Sequence, residues 1–350
     1  MAFLSIPNVQ IKGISACVPP SIEENMDYPL KEEEKLKLIA SIGVERKRIA
    51  DKNVCTSDLC LKAAEVLIKD LGWNKEDIDC LIFATHSPDY IQPATACILQ
   101  DRLGLSEECY AMEISSGCSG YVYGMSSAAA LLSNGVMKKA LVLAGETPSK
   151  ISSREDKSAW PLFGDAGTAT AIEFVDGSDG IQFHMATDGS GKNAIYIEDG
   201  GYRNWFTPDS LKKITYEEGI TRTKLDLSLD GMNVFSFALS KVPQSINKLT
   251  ERFNIDKDKV DYYIFHQANL FLNERVRKKL KLDAEKVPYS LKNYGNTSSA
   301  SIPLTMVTEI GEELKSKALQ HIACGFGVGL SWGSMYFDTD NIVCPELIIY

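Results

Sequence analysis

The stretch "AMEISSGCSGYVYGMSSAAALLSNG", residues 111–135, decides how this chain is read. The run "YAMEISSG" ending at Gly117 reads as a strand and a turn, and the Ala- and Ser-rich run after Cys118 reads as a helix. A cysteine on a sharp strand–turn–helix hinge is the thiol version of the nucleophile elbow of hydrolases. The unpaired N–H groups and the dipole of a helix N-terminus lower a thiol pKa, so an activated Cys118 is predicted here. Gly117 and Gly120 let backbone approach a substrate closely. The blander reading of the same stretch is a buried thiol among glycines used for packing.

Outward from this hinge, strand and helix patterns alternate. The apolar runs "CLIFATHS" (80–87), "ALVLAGE" (140–146) and "YYIFHQA" (262–268) suit strands buried on both faces. Residues 56–73 and 232–253 carry helical periodicity, the first with Thr56 as a good N-cap residue, the second with a kink expected at Pro243. The fold class is therefore α/β and layered. A repeat is visible as well. "GWNKEDIDCLIFATHSP" (72–88) resembles "FNIDKDKVDYYIFHQAN" (253–269), and "GDAGTATAIEF" (164–174) resembles "GFGVGLSWGSMYF" (325–337). Two related halves, 1–177 and 178–350, are expected, with the polar stretch 209–233 as a loop or surface insertion in the second.

Bulk properties narrow the function classes. The formal net charge of −10 argues against a nucleic-acid footprint over the whole surface. No apolar run approaches the ~18 residues that span a bilayer, and the N-terminus lacks the pattern of a secretion signal. The nine cysteines sit singly, with no CxxC and no zinc spacing, so no metal site is expected. Reduced thiols in a cytoplasmic protein is the reading these features support.

A nucleophilic thiol needs partners. His266 closes the strand "YYIF", and the C-terminal edge of a buried strand is where α/β folds place chemistry. His86 holds the similar place in the first half, in a proline-containing loop; His184 and His321 sit in contexts that read as structural. Asn296, in "KNYGNTSSASIP", is a third candidate, although Asn-Thr-Ser is often only a turn. The glycine-rich "ACGFGVGLSWGSMYF" (323–337) lacks the Rossmann pattern but can offer backbone N–H groups to an oxyanion.

Taken in order, "GCSG", "HQAN", "GNTSSASIP" and "GFGVGLSWGS" resemble the β-ketoacyl-acyl-carrier-protein synthase III family of the thiolase superfamily. "SIGVERKRIA" (41–50), "PATACILQDRLGL" (93–105) and "LFGDAGTATAIE" (162–173) extend the resemblance over nearly the whole chain. It implies a five-layer α-β-α-β-α fold built from two duplicated halves, and a homodimer. Cys118 matches the acylated nucleophile, His266 the histidine of HQAN, and Asn296 the asparagine of GNTS. The oxyanion donors would be the backbone N–H groups of Cys118 and Val328. The implied reaction is a decarboxylative condensation. An acyl group from coenzyme A or a carrier protein moves to Cys118, then joins malonyl-carrier, with no permanently bound cofactor. An acidic acyl carrier protein would dock on the basic run Arg275, Arg277, Lys278 and Lys279, and the loop 87–93, with Ile91 or Gln92, would shape the acyl tunnel across the dimer.

The match departs at the coenzyme A clamp. The family's Trp and Arg positions fall near Lys37 and Ser41, another Arg falls near Lys157, and the Arg that often follows HQAN-Leu is Phe271. The alternatives weighed beside a synthase are an acyltransferase with an amine or hydroxyl acceptor, a non-catalytic partner subunit, and a cysteine hydrolase. The hydrolase lacks its local "CGSCW" signature.

Overall fold

The computed structural model describes residues 2–350. The first half contributes β1 (Val9–Val18), α1 (Thr56–Leu71), β2 (Cys80–Ala84), α2 (Thr95–Leu103), β3 (Tyr110–Ile114), α3 (Gly120–Leu132), β4 (Lys139–Glu146) and β5 (Ala166–Phe174). The second contributes β6 (Ile181–Thr187), α4 (Gly231–Phe253), β7 (Tyr262–Phe265), α5 (Leu270–Leu280), α6 (Ser301–Leu314), β8 (Ala318–Gly327) and β9 (Ser331–Asp340).

The repeat is explicit in the pairing. The first sheet runs β3-β2-β4-β5-β1, and the second runs β7-β8-β9-β6. In each, a parallel pair (β2 with β4, β7 with β8) is followed by two antiparallel pairs. The ends of the chain cross over: Ala2–Ile6 adds to the second sheet beside β6, and Ile348–Ile349 adds to the first beside β1. The termini thus tie the halves together.

Five layers result. Helices α1 and α2 cover the outer face of the first sheet through Leu59, Ala63, Leu67, Leu99 and Leu103. Helices α4 and α5 cover the outer face of the second, through Val242, Ile246, Leu249, Leu272 and Val276. Between the sheets lie α3 and α6, packed against both. A helix sandwiched this way must be apolar nearly all round. That explains the run "SSAAALL" in α3, where even Gly124 faces Val142 and Ala84. Burying each large aliphatic side chain here stabilises the fold by about 1.5–3 kcal/mol relative to exposing it.

Some local details differ from the sequence reading. The N-cap of α1 is Cys55, whose N–H donates to the Asp58 carboxylate at 2.7 Å. Thr56 is instead the first helical residue, buried with its hydroxyl 3.0 Å from that of Thr147. Pro243 lies within a helix that runs unbroken from Gly231 to Phe253, capped by the Asp230 side chain. The polar stretch before it forms a surface hairpin, Ile214–Glu217 with Ile220–Arg222. Among the described residues, no helix is long and apolar enough to cross a membrane.

Candidate active site

Both central helices point their N-termini at the same place. Cys118 and Ser119 form the turn before α3, and the turn Ser298–Ala300 precedes α6. A Cβ placed on Gly120 would lie 3.4 Å from the Ser299 Cβ, so the two helix starts touch. Unpaired N–H groups and the positive ends of two dipoles therefore converge where negative charge would develop.

Ser298 is the hub of the cluster. Its Oγ lies 3.8 Å from the Cys118 Sγ. Its N–H donates to Asn296 Oδ1 at 2.9 Å, and its backbone also contacts the His266 imidazole. Asn296 Nδ2 donates to the Ala268 carbonyl at 3.3 Å, which leaves its second amide hydrogen free for the site. Asn296 is itself clasped across the halves. Its N–H donates to the Leu162 carbonyl at 2.9 Å, and its carbonyl accepts from Gly164 N–H at 3.1 Å. Gly164 has no room for a side chain against the Tyr294 carbonyl, which explains the glycine of the "FGD" turn.

His266 extends the β7 ladder by one rung, its N–H donating to the Cys324 carbonyl at 2.8 Å. Its ring stands edge-on to Phe326, with centroids 5.3 Å apart. Burial pushes its pKa down to about 3, so the imidazole is neutral at any pH near 7. The glycine-rich strand β8 supplies the opposite wall. A Cβ on Gly327 would lie 2.6 Å from Cys118 Cβ and 2.7 Å from Sγ, and one on Gly325 would lie 2.9 Å from the Cys118 carbonyl. The G-x-G spacing thus places two bare positions on one face of a strand, against the Cys118 turn. Val328, just beyond, and Cys118 itself both present backbone N–H groups to the sulfur.

One expectation is reversed. The helix N-terminus alone predicts a lowered Cys118 pKa, but Cys118 is only 7% exposed and burial raises it. Hydrogen bonds from Ser298 and from the N–H groups of Val328 and Cys118 oppose that rise without cancelling it. Desolvation of the thiolate outweighs the hydrogen bonds that favour it.

An apolar pocket of about 350 Å³ opens beside this cluster, walled by Leu162, Phe163, Phe235, Ala268 and Phe271, with Ser41 at its rim. The Phe235 and Phe271 rings stack with centroids 5.6 Å apart. The wall includes the two residues, Leu162 and Ala268, whose carbonyls hold Asn296. Lys37 is exposed and paired with Glu33 at 2.7 Å.

Residues 112–189 match the sequence profile described as 3-oxoacyl-[acyl-carrier-protein (ACP)] synthase III, and residues 250–339 match that family's C-terminal profile. The β-ketoacyl-[acyl-carrier-protein] synthase III of Clostridioides difficile is 33% identical over 325 residues, covering 93% of this chain and 96% of that protein. The chain belongs to the 3-oxoacyl-[acyl-carrier-protein] synthase III family. The synthase III of Bacillus pumilus is 32% identical over 94% of this chain and 98% of its own length. A 3-oxoacyl-(acyl-carrier protein) synthase structure from Burkholderia xenovorans superposes with a TM-score of 0.94 at 36% identity, covering 100% of this chain and 99% of that one. The five layers and the duplicated halves are thus those of this synthase III family.

The basic run on α5 divides in two. Arg277 is held, its guanidinium donating to both Glu274 oxygens at 2.8 Å and to the Leu282 carbonyl at 2.7 Å. Lys279 donates to the Leu239 carbonyl at 3.1 Å. Arg275 covers the Phe271 ring at 5.0 Å, and the Lys278 side chain is 66% exposed, 3.8 Å from the Glu274 carboxylate. Ile91 is 65% exposed and Gln92 is also exposed, on the loop between β2 and α2.

One side chain near Cys118 escaped the sequence reading. Glu146, at the end of β4, is a buried carboxyl bonded only to neutral groups: His86 N–H at 2.8 Å, Ser87 Oγ at 2.5 Å and Thr85 Oγ1 at 3.4 Å. Burial pushes its pKa up to about 8. The His86 Nδ1 stands over Gly117, 2.9 Å from where a Cβ would sit. The rule that selected His266, a polar residue ending a buried strand, selects Glu146 equally.

Proposed function

We propose that the chain performs the decarboxylative condensation of an acyl thioester with malonyl-acyl-carrier protein through an acyl-Cys118 intermediate. The observation that carries this reading is the convergence of Cys118, Asn296 and the His266 imidazole on Ser298. In the first half-reaction the Cys118 sulfur attacks the thioester carbonyl. The N–H groups of Cys118 and Val328 hold the oxyanion, and the thiol proton ends on the departing carrier thiol. With its pKa raised by burial, the thiol rests protonated, and the hydrogen bonds from Ser298 and from the Val328 and Cys118 N–H groups are what favour the thiolate as it attacks.

In the second half-reaction malonyl-carrier occupies the apolar pocket with its pantetheine arm. His266 and the free Asn296 N–H donate to its thioester carbonyl. Carbon dioxide leaves, and the electron pair passes through the enolate to the acyl carbon on Cys118. A carbon–carbon bond forms as the acyl carbon–sulfur bond breaks, and the released Cys118 thiolate takes a proton from solvent. A neutral His266 fits a donor, since a cation would hold the malonyl carboxylate by charge and oppose its loss. The reaction needs no bound cofactor. Acidic carrier would meet Arg275 and Lys278, whereas Arg277 and Lys279 are spent within the fold. The halves are read as 1–177 and 178–350, and exposed Ile91 and Gln92 as tunnel residues offered to a second copy in a homodimer. Adding an acyl thioester and then malonyl-carrier should release a β-ketoacyl-carrier, detected by mass; release of free acid alone would reject the condensation.

A further inference from the structure

The His266 ring has a second neighbour whose chemistry fixes where its proton sits. Nδ1 lies 2.8 Å from the Ser301 Oγ, and both side chains are buried, at 2% and 0% exposure. Ser301 Oγ also accepts the Gln267 N–H at 3.3 Å. A hydroxyl has one hydrogen to give. With a peptide N–H already on its oxygen, the hydrogen of Ser301 has Nδ1 as its acceptor. The reverse arrangement, Nδ1–H donating to Ser301, would leave a buried O–H with nowhere to donate, which protein interiors avoid.

Ser301 sits in a frame whose polar neighbours are themselves bonded. It is the first residue of α6, and its carbonyl accepts from Thr305 Oγ1 at 2.8 Å. Thr305 Oγ1 lies 2.7 Å from Ser290 Oγ, and the Ser290 N–H donates to Gln267 Oε1 at 3.2 Å. The Gln267 amide is then completed by Nε2 donating to the Phe265 carbonyl at 2.8 Å. Every member of the chain around Ser301 is thus committed to a partner.

We propose that Ser301 is a positioning residue: its hydroxyl donates to His266 Nδ1 and so keeps the proton on Nε2, the nitrogen turned toward the reacting thioester. The assignment of the tautomer stands on hydrogen-bond geometry alone. Its consequence for catalysis rests on the function proposed above. A wrong tautomer would present a lone pair to the thioester carbonyl and repel the enolate oxygen it should stabilise.

Protein labelled with ¹⁵N-histidine separates the two. Long-range ¹H–¹⁵N spectra of the wild type should show His266 protonated at Nε2 alone. Ser301→Ala should show Nδ1 protonation or a mixture, lower kcat for condensation tenfold or more, and leave acylation of Cys118 within about twofold of wild type. Ser301→Thr, which keeps the hydroxyl, should restore both the spectrum and the rate. A wild-type ring protonated at Nδ1 would overturn the proposal, and that result needs no variant to fold. So would a Ser301→Ala protein with an unchanged Nε2–H signal and unchanged condensation. An Nε2–H wild type whose His266→Ala variant condenses normally would instead reject the catalytic role of His266, with the tautomer assignment intact.

Discussion

The starts of α3 and α6 are the same place in two copies of one fold, and they carry different chemistry. At the first, a glycine-rich turn presents a sulfur. At the second, a serine-rich turn presents an asparagine and holds a histidine. Duplication supplied two helix N-termini facing each other, with Gly120 against Ser299, and so a doubled preference for negative charge. The equivalent strands β2 and β7 diverge less: each runs into an imidazole, His86 or His266, whose pKa desolvation lowers, while Glu146, a buried acid bonded to loop donors, closes β4 beside β2. The comparison teaches that the layered scaffold fixes where charge is welcome; on the proposed function, a few side chains would then divide attack from activation.

The largest effect should come from removing the second half's donors. His266→Ala or Asn296→Ala should lower condensation by on the order of 10²–10³-fold while Cys118 still acylates. Stopped-flow acylation beside product assays checks this, and equal loss in both steps would break the division. Next comes the wall between the halves. Gly327→Ala places a Cβ 2.7 Å from the Cys118 sulfur, so it should cost about 1–3 kcal/mol of stability in denaturant melts and suppress acylation. Gly189→Ala, with nothing within 4 Å, is the neutral control.

Glu146 gives a pH signature. Its carboxyl is raised from an ordinary 4.5 to about 8, so across that window the folded protein holds a proton that the unfolded chain releases. Its contribution to stability is full below about 4.5 and lost as pH climbs through about 8. Glu146→Gln should flatten that decline by up to a few kcal/mol, read as melting temperature against pH. The smallest effect is expected on α5. Reversing Arg275 and Lys278 should raise KM for carrier protein by up to about tenfold, in a salt-sensitive way. The same change at Arg277 should instead lower stability, because its guanidinium is bonded to Glu274 and Leu282.

Much of this was legible in the sequence. Strand periodicity, the repeat and the hinge at Cys118 follow from spacing, because buried strands and a helix between sheets leave little choice of residue. His266 followed from its place at a strand end. Ser298 did not, because a serine in Asn-Thr-Ser reads as a turn until its neighbours in space are known. The raised thiol pKa was hidden for the same reason: a dipole is local and readable, whereas burial is contributed by β8, more than 200 residues away. Arg277 looked free because four cations in five positions read as a surface, although Glu274 lies three residues before it.

The division of labour is tested most directly by following one acyl group. Wild-type protein and His266→Ala are each given an acyl thioester, then malonyl-carrier, and the mass of the Cys118 peptide is recorded at each stage. The acyl mass should appear on Cys118 in both, then vanish into β-ketoacyl-carrier in the wild type and persist in the variant. An acyl group on any other residue, or one that leaves both proteins at the same rate, would contradict the assignment of attack to one half and activation to the other.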